Sequence, residues 1–207
     1  MNFVSRSCRM SLAVWGASLG IAMLMPAASA AQQRDGLPSV SPELEKVRTA
    51  LEKYRDPVVA VHDGFFSTIY CIDIPKAGAP GHVPYVPGRM GVHLFNSANI
   101  APVLDPLKPQ VLLYEPRGDK LELTGAEWFV PLALVKERPT LFGHPFDGPM
   151  EGHHPLMPPE LAHWDLHVWL WKENPLGMFS ATNPAVTCPP GPYNLSEGAP
   201  KLVTPPS

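Results

Sequence analysis

His163-x-Asp165-x-His167 is the spacing in this chain that most suggests chemistry. In a strand, alternate side chains project to one side, so two imidazoles and a carboxylate would share a face at steps of ~6–7 Å. Neutral imidazole and carboxylate suit zinc, copper or iron. Asp165 would either be a ligand itself or orient one imidazole from behind. Trp169 and Trp171 continue that face, and Leu166, Val168 and Leu170 form the opposite, apolar one. His93 lies in Gly91-Val92-His93-Leu94-Phe95-Asn96, and Glu115 ends the run Val111-Leu112-Leu113-Tyr114-Glu115. A third stretch adds His144, His153 and His154, with Met150 and Met157 flanking the pair as M-x-x-H-H-x-x-M. Thioethers beside imidazoles favour Cu(I), a ligand mix similar to that of exported copper handlers. The expected metal ligands are therefore His93, Glu115, His153, His163 and His167, with Asp165 as ligand or support.

Each of these residues also has an ordinary reading. A strand histidine is often just hydrogen-bonded, methionine often fills gaps in a core, and Glu115 fits a solvated strand end. Trp128, Trp169 and Trp171 either cover a core edge or wall a pocket for a flat small molecule. No H-E-x-x-H, C-x-x-C, C-x-x-C-H or phosphate-binding glycine loop is present. With no complete catalytic motif, a binding role is expected ahead of an enzymatic one. A metal-dependent hydrolase or oxygenase, with Glu115 as general base, is the alternative.

The elements that must carry these residues follow from periodicity. Ser41-Pro42 has the residues of a helix start, and Leu44, Val47, Leu51 and Tyr54 recur at helical spacing until Pro57. Beyond it, strand-like alternation covers residues 68–74, 90–95, 111–115, 121–130 and 163–171. The apolar phase flips at Gly125, from Leu121 and Leu123 to Ala126, Trp128 and Val130, as a β-bulge there would require. Residues 141–159 have no period and read as a long ordered loop. The fold class expected is α+β, with one N-terminal amphipathic helix on a mainly antiparallel, roughly five-stranded sheet joined by long Pro-rich loops.

The N-terminus reads as a secretory leader. Arg6 and Arg9 precede a short apolar run that ends at Pro26, and Ala28-Ser29-Ala30 matches a signal-peptidase site. The run is shorter than the ~20 residues that span a bilayer, so no stable membrane anchor is expected after cleavage. The expected organisation is a signal peptide (1–30), a linker (31–40), one globular domain (41–188) and a Pro-rich disordered tail (189–207). Losing Arg6 and Arg9 moves the formal charge from −3 by two units to −5, which argues against nucleic acid as a partner. Cleavage also removes Cys8, leaving Cys71 and Cys188 as an expected disulfide in an oxidising compartment.

Several of these segments resemble a group of uncharacterised exported bacterial proteins. They are residues 91–96, residues 104–116 from Leu104-Asp105-Pro106 through Tyr114-Glu115-Pro116 and, most closely, Asp165-Leu166-His167-Val168-Trp169-Leu170-Trp171-Lys172, continuing through Asn174-Pro175 and Gly177-Met178-Phe179. The resemblance implies a periplasmic or secreted bacterial protein and supplies no activity. The expectation is an exported protein whose partner is a metal ion or a small molecule.

Overall fold

A computed structural model describes residues 36–153 and 157–205. The expected leader and His154 lie outside these residues. Ser41 caps the first helix, α1 (Pro42–Leu51): its hydroxyl accepts from the Leu44 N–H at 3.2 Å, and Pro42 takes the first helical position, where no N–H is needed. A 3-10 turn follows at Glu52–Arg55. Pro57 then opens a second short helix, α2 (Pro57–His62), whose N-terminus is capped by Asp56. No described helix is long and apolar enough to cross a membrane.

The rest is mostly β, and the expected single helix on a five-stranded sheet does not hold. Strands β1 (Phe66–Ile74), β2 (Gly88–Phe95), β3 (Val111–Arg117), β4 (Lys120–Pro131), β7 (Asp147–Met150), β8 (His163–Val168) and β9 (Asn194–Ser196) form one sheet. Its order is β7-β8-β4-β3-β2-β1-β9, and it curls into a half-barrel. All pairings are antiparallel except β1 with β9. A separate two-stranded sheet joins β5 (Thr140–Leu141) to β6 (His144–Pro145). Periodicity found the five inner strands. It missed β7 and β9 at the two edges, because strands of three or four residues rich in Gly, Pro, Asn and Ser carry no alternation of their own. Partners distant in sequence hold them in place.

The segment expected as a disordered tail is therefore structured over much of its length. After β9, the Glu197 N–H donates to the Asp73 carbonyl at 2.9 Å, and further on Leu202 bridges to Met150 beside β7. One segment thus touches both edge strands of the half-barrel. The expected loop over 141–159 likewise contains β6 and β7. The fifth strand stops at Val168 instead of running to Trp171.

The two faces of the sheet hold different cores. On one, Leu94, Leu112, Ala126, Trp128 and Leu166 pack with Leu44, Val47 and Leu51 of α1. The Tyr114 hydroxyl ties this face to the helical segment by donating to the Tyr54 carbonyl at 2.6 Å. The bulge expected near Gly125 is present: Leu113 pairs with Gly125 but Tyr114 pairs with Leu123, which leaves Thr124 as the extra residue. Gly125 is needed there because a Cβ would lie 2.7 Å from the Val168 carbonyl oxygen. Before the bulge, the odd-numbered Leu123 faces the helix-side core. After it, the even-numbered Ala126, Trp128 and Val130 do, and Glu127 and Phe129 turn to the other face.

Cys71 of β1 is bonded to Cys188, 117 residues away. It joins the sheet to the segment that leads into β9. Cys71→Ser is expected to lower stability by about 2–5 kcal/mol, the usual loss for a native disulfide in a domain of this size. Denaturant melts of oxidised and reduced wild type beside the variant check this. Equal midpoints for all three would show that the bond stabilises nothing.

Candidate metal centre

Cross-strand pairing sets the other face of the sheet. Glu127 lies opposite His167, and Phe129 opposite Asp165. His163 and His167 follow Asp165 on the same side by simple alternation. In β2, His93 pairs with Leu113, which pairs in turn with Gly125, so His93 reaches this face with two strands, β3 and β4, between it and β8. Helices do not cover this side. It is closed instead by the segment carrying His153, Met157, Pro158 and Leu161 and by Glu197 after β9.

Three of these side chains converge. Glu127 Oε2 lies 3.5 Å from His93 Nε2 and 3.5 Å from His167 Nε2. One ligand atom from each of the three falls within 4.8 Å of the others. Those separations are too long for good hydrogen bonds. The two 3.5 Å separations from Glu127 are close to the ~3.4 Å between ligand atoms arranged tetrahedrally at ~2.1 Å from one ion. Both ring nitrogens of His167 and Oε2 of Glu127 are buried and find no hydrogen-bond partner among the described residues. Buried polar atoms are nearly always paired, so Glu127 Oε2 and His167 Nε2, two orphans that meet beside His93 Nε2, form an incomplete donor set that a cation would complete.

A second tier surrounds the triad. Asp165 Oδ1 is 3.9 Å from His167 Nδ1, on the side away from Glu127, where a carboxylate orients a ligating imidazole. Its other oxygen accepts from the Tyr85 hydroxyl at 3.4 Å and lies 3.8 Å from His163 Nε2. His163 Nδ1 is 3.0 Å from the Leu161 carbonyl, which suits an N–H at that nitrogen and a bare Nε2. His153 sits beside it with ring centroids 5.2 Å apart, its Nε2 3.4 Å from Met150 Sδ and its Nδ1 3.8 Å from Glu197.

Burial governs the protonation of this cluster. It pushes Glu127 up to about 8 and Glu197 up to about 7, because neither carboxylate has a cation beside it. Asp165 is raised well above the usual carboxylate range, first by burial and then by the negative charges of Glu127 and Asp147. The same loss of water holds His93 and His163 down at about 4 and His153 at about 3. His167 is also pushed well below its ordinary value, by burial and by the neighbouring imidazoles. The histidines are thus neutral at pH 7, the form that binds metal.

The expected ligands divide accordingly. His93 and His167 are in the triad, and His163, Asp165 and His153 stand next to it. Glu115 is not at this centre. It lies further along β3, buried beside Lys172 Nζ at 2.7 Å and Arg117 at 3.2 Å, and it accepts from the Thr187 N–H and hydroxyl. Burial alone would raise its carboxyl, but Lys172 and Thr187 together hold it low. That arrangement ties β3 to the Cys188 segment and offers neither a ligand nor a base.

The expected tryptophan-walled pocket is not formed. Trp128 and Trp171 are in the helix-side core, bonded to the Asp105 carbonyl and to Glu52. Trp169 packs on Val111, Leu113 and Val186, bonded to the Ser180 carbonyl. The alternation that would have aligned Trp169 and Trp171 breaks where the Trp171 N–H bonds to the bulged Thr124 carbonyl.

Two residues at the centre escaped sequence reasoning. Glu127 could have been found, since the phase flip at Gly125 puts it on the face of His167. Glu197 had no signal, because its position depends on β9. Above the triad lies a cavity of about 250 Å³, lined mainly by Phe66, Ile72, Met90, Phe95, Val111 and Phe129, with the triad, His163 and Asp165 also in its wall. Compared with known proteins, the chain matches no family model, no curated protein and no solved structure.

The protonation pattern predicts how the metal-free protein responds to pH. The histidines contribute stability above 6.5 that is lost as the pH falls toward 4. The carboxylates contribute stability at low pH that is lost as the pH rises through 7 to 8. The melting temperature of metal-free protein is therefore expected to fall between pH 6.5 and 8.5, and that fall should be smaller in Glu127→Gln, with Glu197 and Asp165 supplying what remains. Thermal melts across this range check it; a flat or rising profile in the wild type contradicts the buried carboxylates.

Proposed function

We propose that this is an exported protein that binds one transition-metal ion through His93, Glu127 and His167, with part of the coordination sphere open to the cavity. The observation that carries the reading is the convergence of one ligand atom each from β2, β4 and β8 within 4.8 Å of one another, two of which, Glu127 Oε2 and His167 Nε2, are buried without a hydrogen-bond partner among the described residues. Two imidazoles and one carboxylate suit zinc or Fe(II). The triad contains no thioether, so the Cu(I) site suggested by Met150 and Met157 gives way to a harder ion. Export is supported by the leader pattern of residues 1–30 and by the disulfide, which is consistent with an oxidising location. The likeness of segments 91–96 and 165–172, which carry His93 and His167, to exported bacterial proteins points the same way.

An enzymatic reading, as a metal-dependent hydrolase or oxygenase, is favoured by one observation. The cavity reaches the triad, so an open metal position would face a space for substrate. Glu115 does not serve as its base, and Glu197 is the carboxylate outside the triad and second tier that lines the same cavity.

Elemental analysis of protein purified from the periplasm without a tag or chelator should find about one equivalent of zinc or iron. His93→Ala and His167→Ala should lose it, Glu127→Gln should lose most of it, and Glu115→Gln should keep it while melting at lower temperature. Protein isolated without metal that takes up neither zinc nor Fe(II) on addition would overturn the reading. Because Glu127 must give up its proton to bind, zinc affinity should rise by about tenfold per pH unit up to pH 8 and then level off. Competition titrations with a chromogenic chelator measure that slope, and a pH-independent affinity would remove Glu127 from the ligand set.

A further inference from the structure

We infer that the cavity over His93, Glu127 and His167 is a chamber for a small neutral aromatic molecule bearing one oxygen that reaches the metal, a phenol-like ligand. This rests on the metal reading above and adds the class of molecule that the open coordination position would meet.

The walls define the apolar part of that molecule. Phe66, Phe95 and Phe129 stand along one side, with ring centroids 5.6 and 6.0 Å apart and adjacent planes nearly perpendicular. Such an array offers both ring faces and ring edges to a guest, the geometry aromatic pairs prefer. The thioethers of Met90 and Met157 add polarizable surface that packs well against rings. A cavity of 150 Å³ lined by apolar side chains holds benzene. At about 250 Å³, this one suits a substituted single ring or a fused pair and is too small for a peptide or sugar chain.

Most of the polar lining, the triad with His163 and Asp165, lies together, and His153, Glu197 and the Thr68 hydroxyl are the other polar groups in the wall. The triad, His163 and Asp165 are all in the deep wall and almost fully buried, whereas the rim is made by Phe66, Thr68, Pro158 and Leu161, all partly or well exposed. Neither Lys nor Arg lines the cavity. A phosphate, sulfonate or second carboxylate would therefore be desolvated with no partner cation, a cost that excludes anionic groups other than one bound to the metal itself. A neutral phenol meets both demands: its ring fills the apolar walls, and its oxygen would take the open coordination position of a metal held by the triad. Phe66 is 54 % exposed, an unusual setting for so large an apolar ring and one that suits a lip over which an apolar guest enters.

The test uses 1-naphthol and naphthalene as probes, titrated by calorimetry and fluorescence into metal-free and zinc-loaded protein, with zinc content measured separately. Both probes should bind the metal-free protein at one site. Zinc should tighten 1-naphthol by about tenfold or more and leave naphthalene unchanged. Leu161→Trp, which fills the chamber from its rim, should weaken both probes at least tenfold while the protein keeps its equivalent of zinc. Thr68→Trp, on the opposite rim, does the same if Leu161→Trp fails to fold. Absence of saturable binding to either form, or full binding in a folded rim variant, overturns the chamber. Equal affinity of the two probes for zinc-loaded protein overturns the metal-directed oxygen. If the protein takes up no zinc, the metal reading fails, and probe binding that is lost in the rim variants still supports the chamber.

Discussion

Side chains on a strand alternate faces, and the arrangement of the candidate centre depends on where that alternation is interrupted in β4. One extra residue, Thr124, turns Leu123 to the helix-side core and Glu127 to the opposite face. Without it, the odd-numbered positions beyond Leu123 would keep their phase. Glu127 would then enter an apolar core and Trp128 would leave it, at the cost of burying a carboxylate among hydrocarbon. Gly125 permits the bulge because the Val168 carbonyl passes where its Cβ would be. The same interruption receives the Trp171 N–H and ends β8, which separates the histidine-bearing part of that strand from its two terminal tryptophans.

The two faces of the half-barrel divide the work. Apolar burial between α1 and the sheet is ordinary and strongly favourable, roughly 25 cal/mol for each Å² of apolar surface removed from water. The cavity on the other face is lined by four histidines and three carboxylates, with no lysine or arginine among the described residues. A group that loses water without gaining a partner stays neutral, so the carboxylates hold their protons and the imidazoles shed theirs. Such a cluster is an unfavourable use of interior space for stability alone, and the apolar core and the Cys71–Cys188 bond offset it. A metal ion would reverse the balance by turning the orphaned donors into ligands.

Chain-distant closure completes the site. Segments after residue 186 supply the disulfide partner, the Thr187 bonds to Glu115, the edge strand β9 and Glu197 at the cavity. These contacts connect residues more than forty positions apart, and they bring the C-terminal segment against both edges of the sheet. The cavity therefore exists only once the whole domain has assembled.

What the sequence determined by itself is the part governed by local rules. The capped helix at Ser41, the five inner strands, the bulge at Gly125, the shared face of His163, Asp165 and His167, and the pairing of Cys71 with Cys188 all follow from residue type, period and cysteine count. Tertiary structure decided which strands became neighbours. That brought His93 to Glu127 and His167, sent Glu115 to Lys172 and Thr187, drew β7 and β9 out of segments without period, and placed Trp128 and Trp171 in the helix-side core but Trp169 in another cluster. The physical reason is that alternation fixes only the side of a strand on which a residue lies. Convergence depends on the order and register of strands far apart in the chain, and those are set by burial and pairing that no local pattern records.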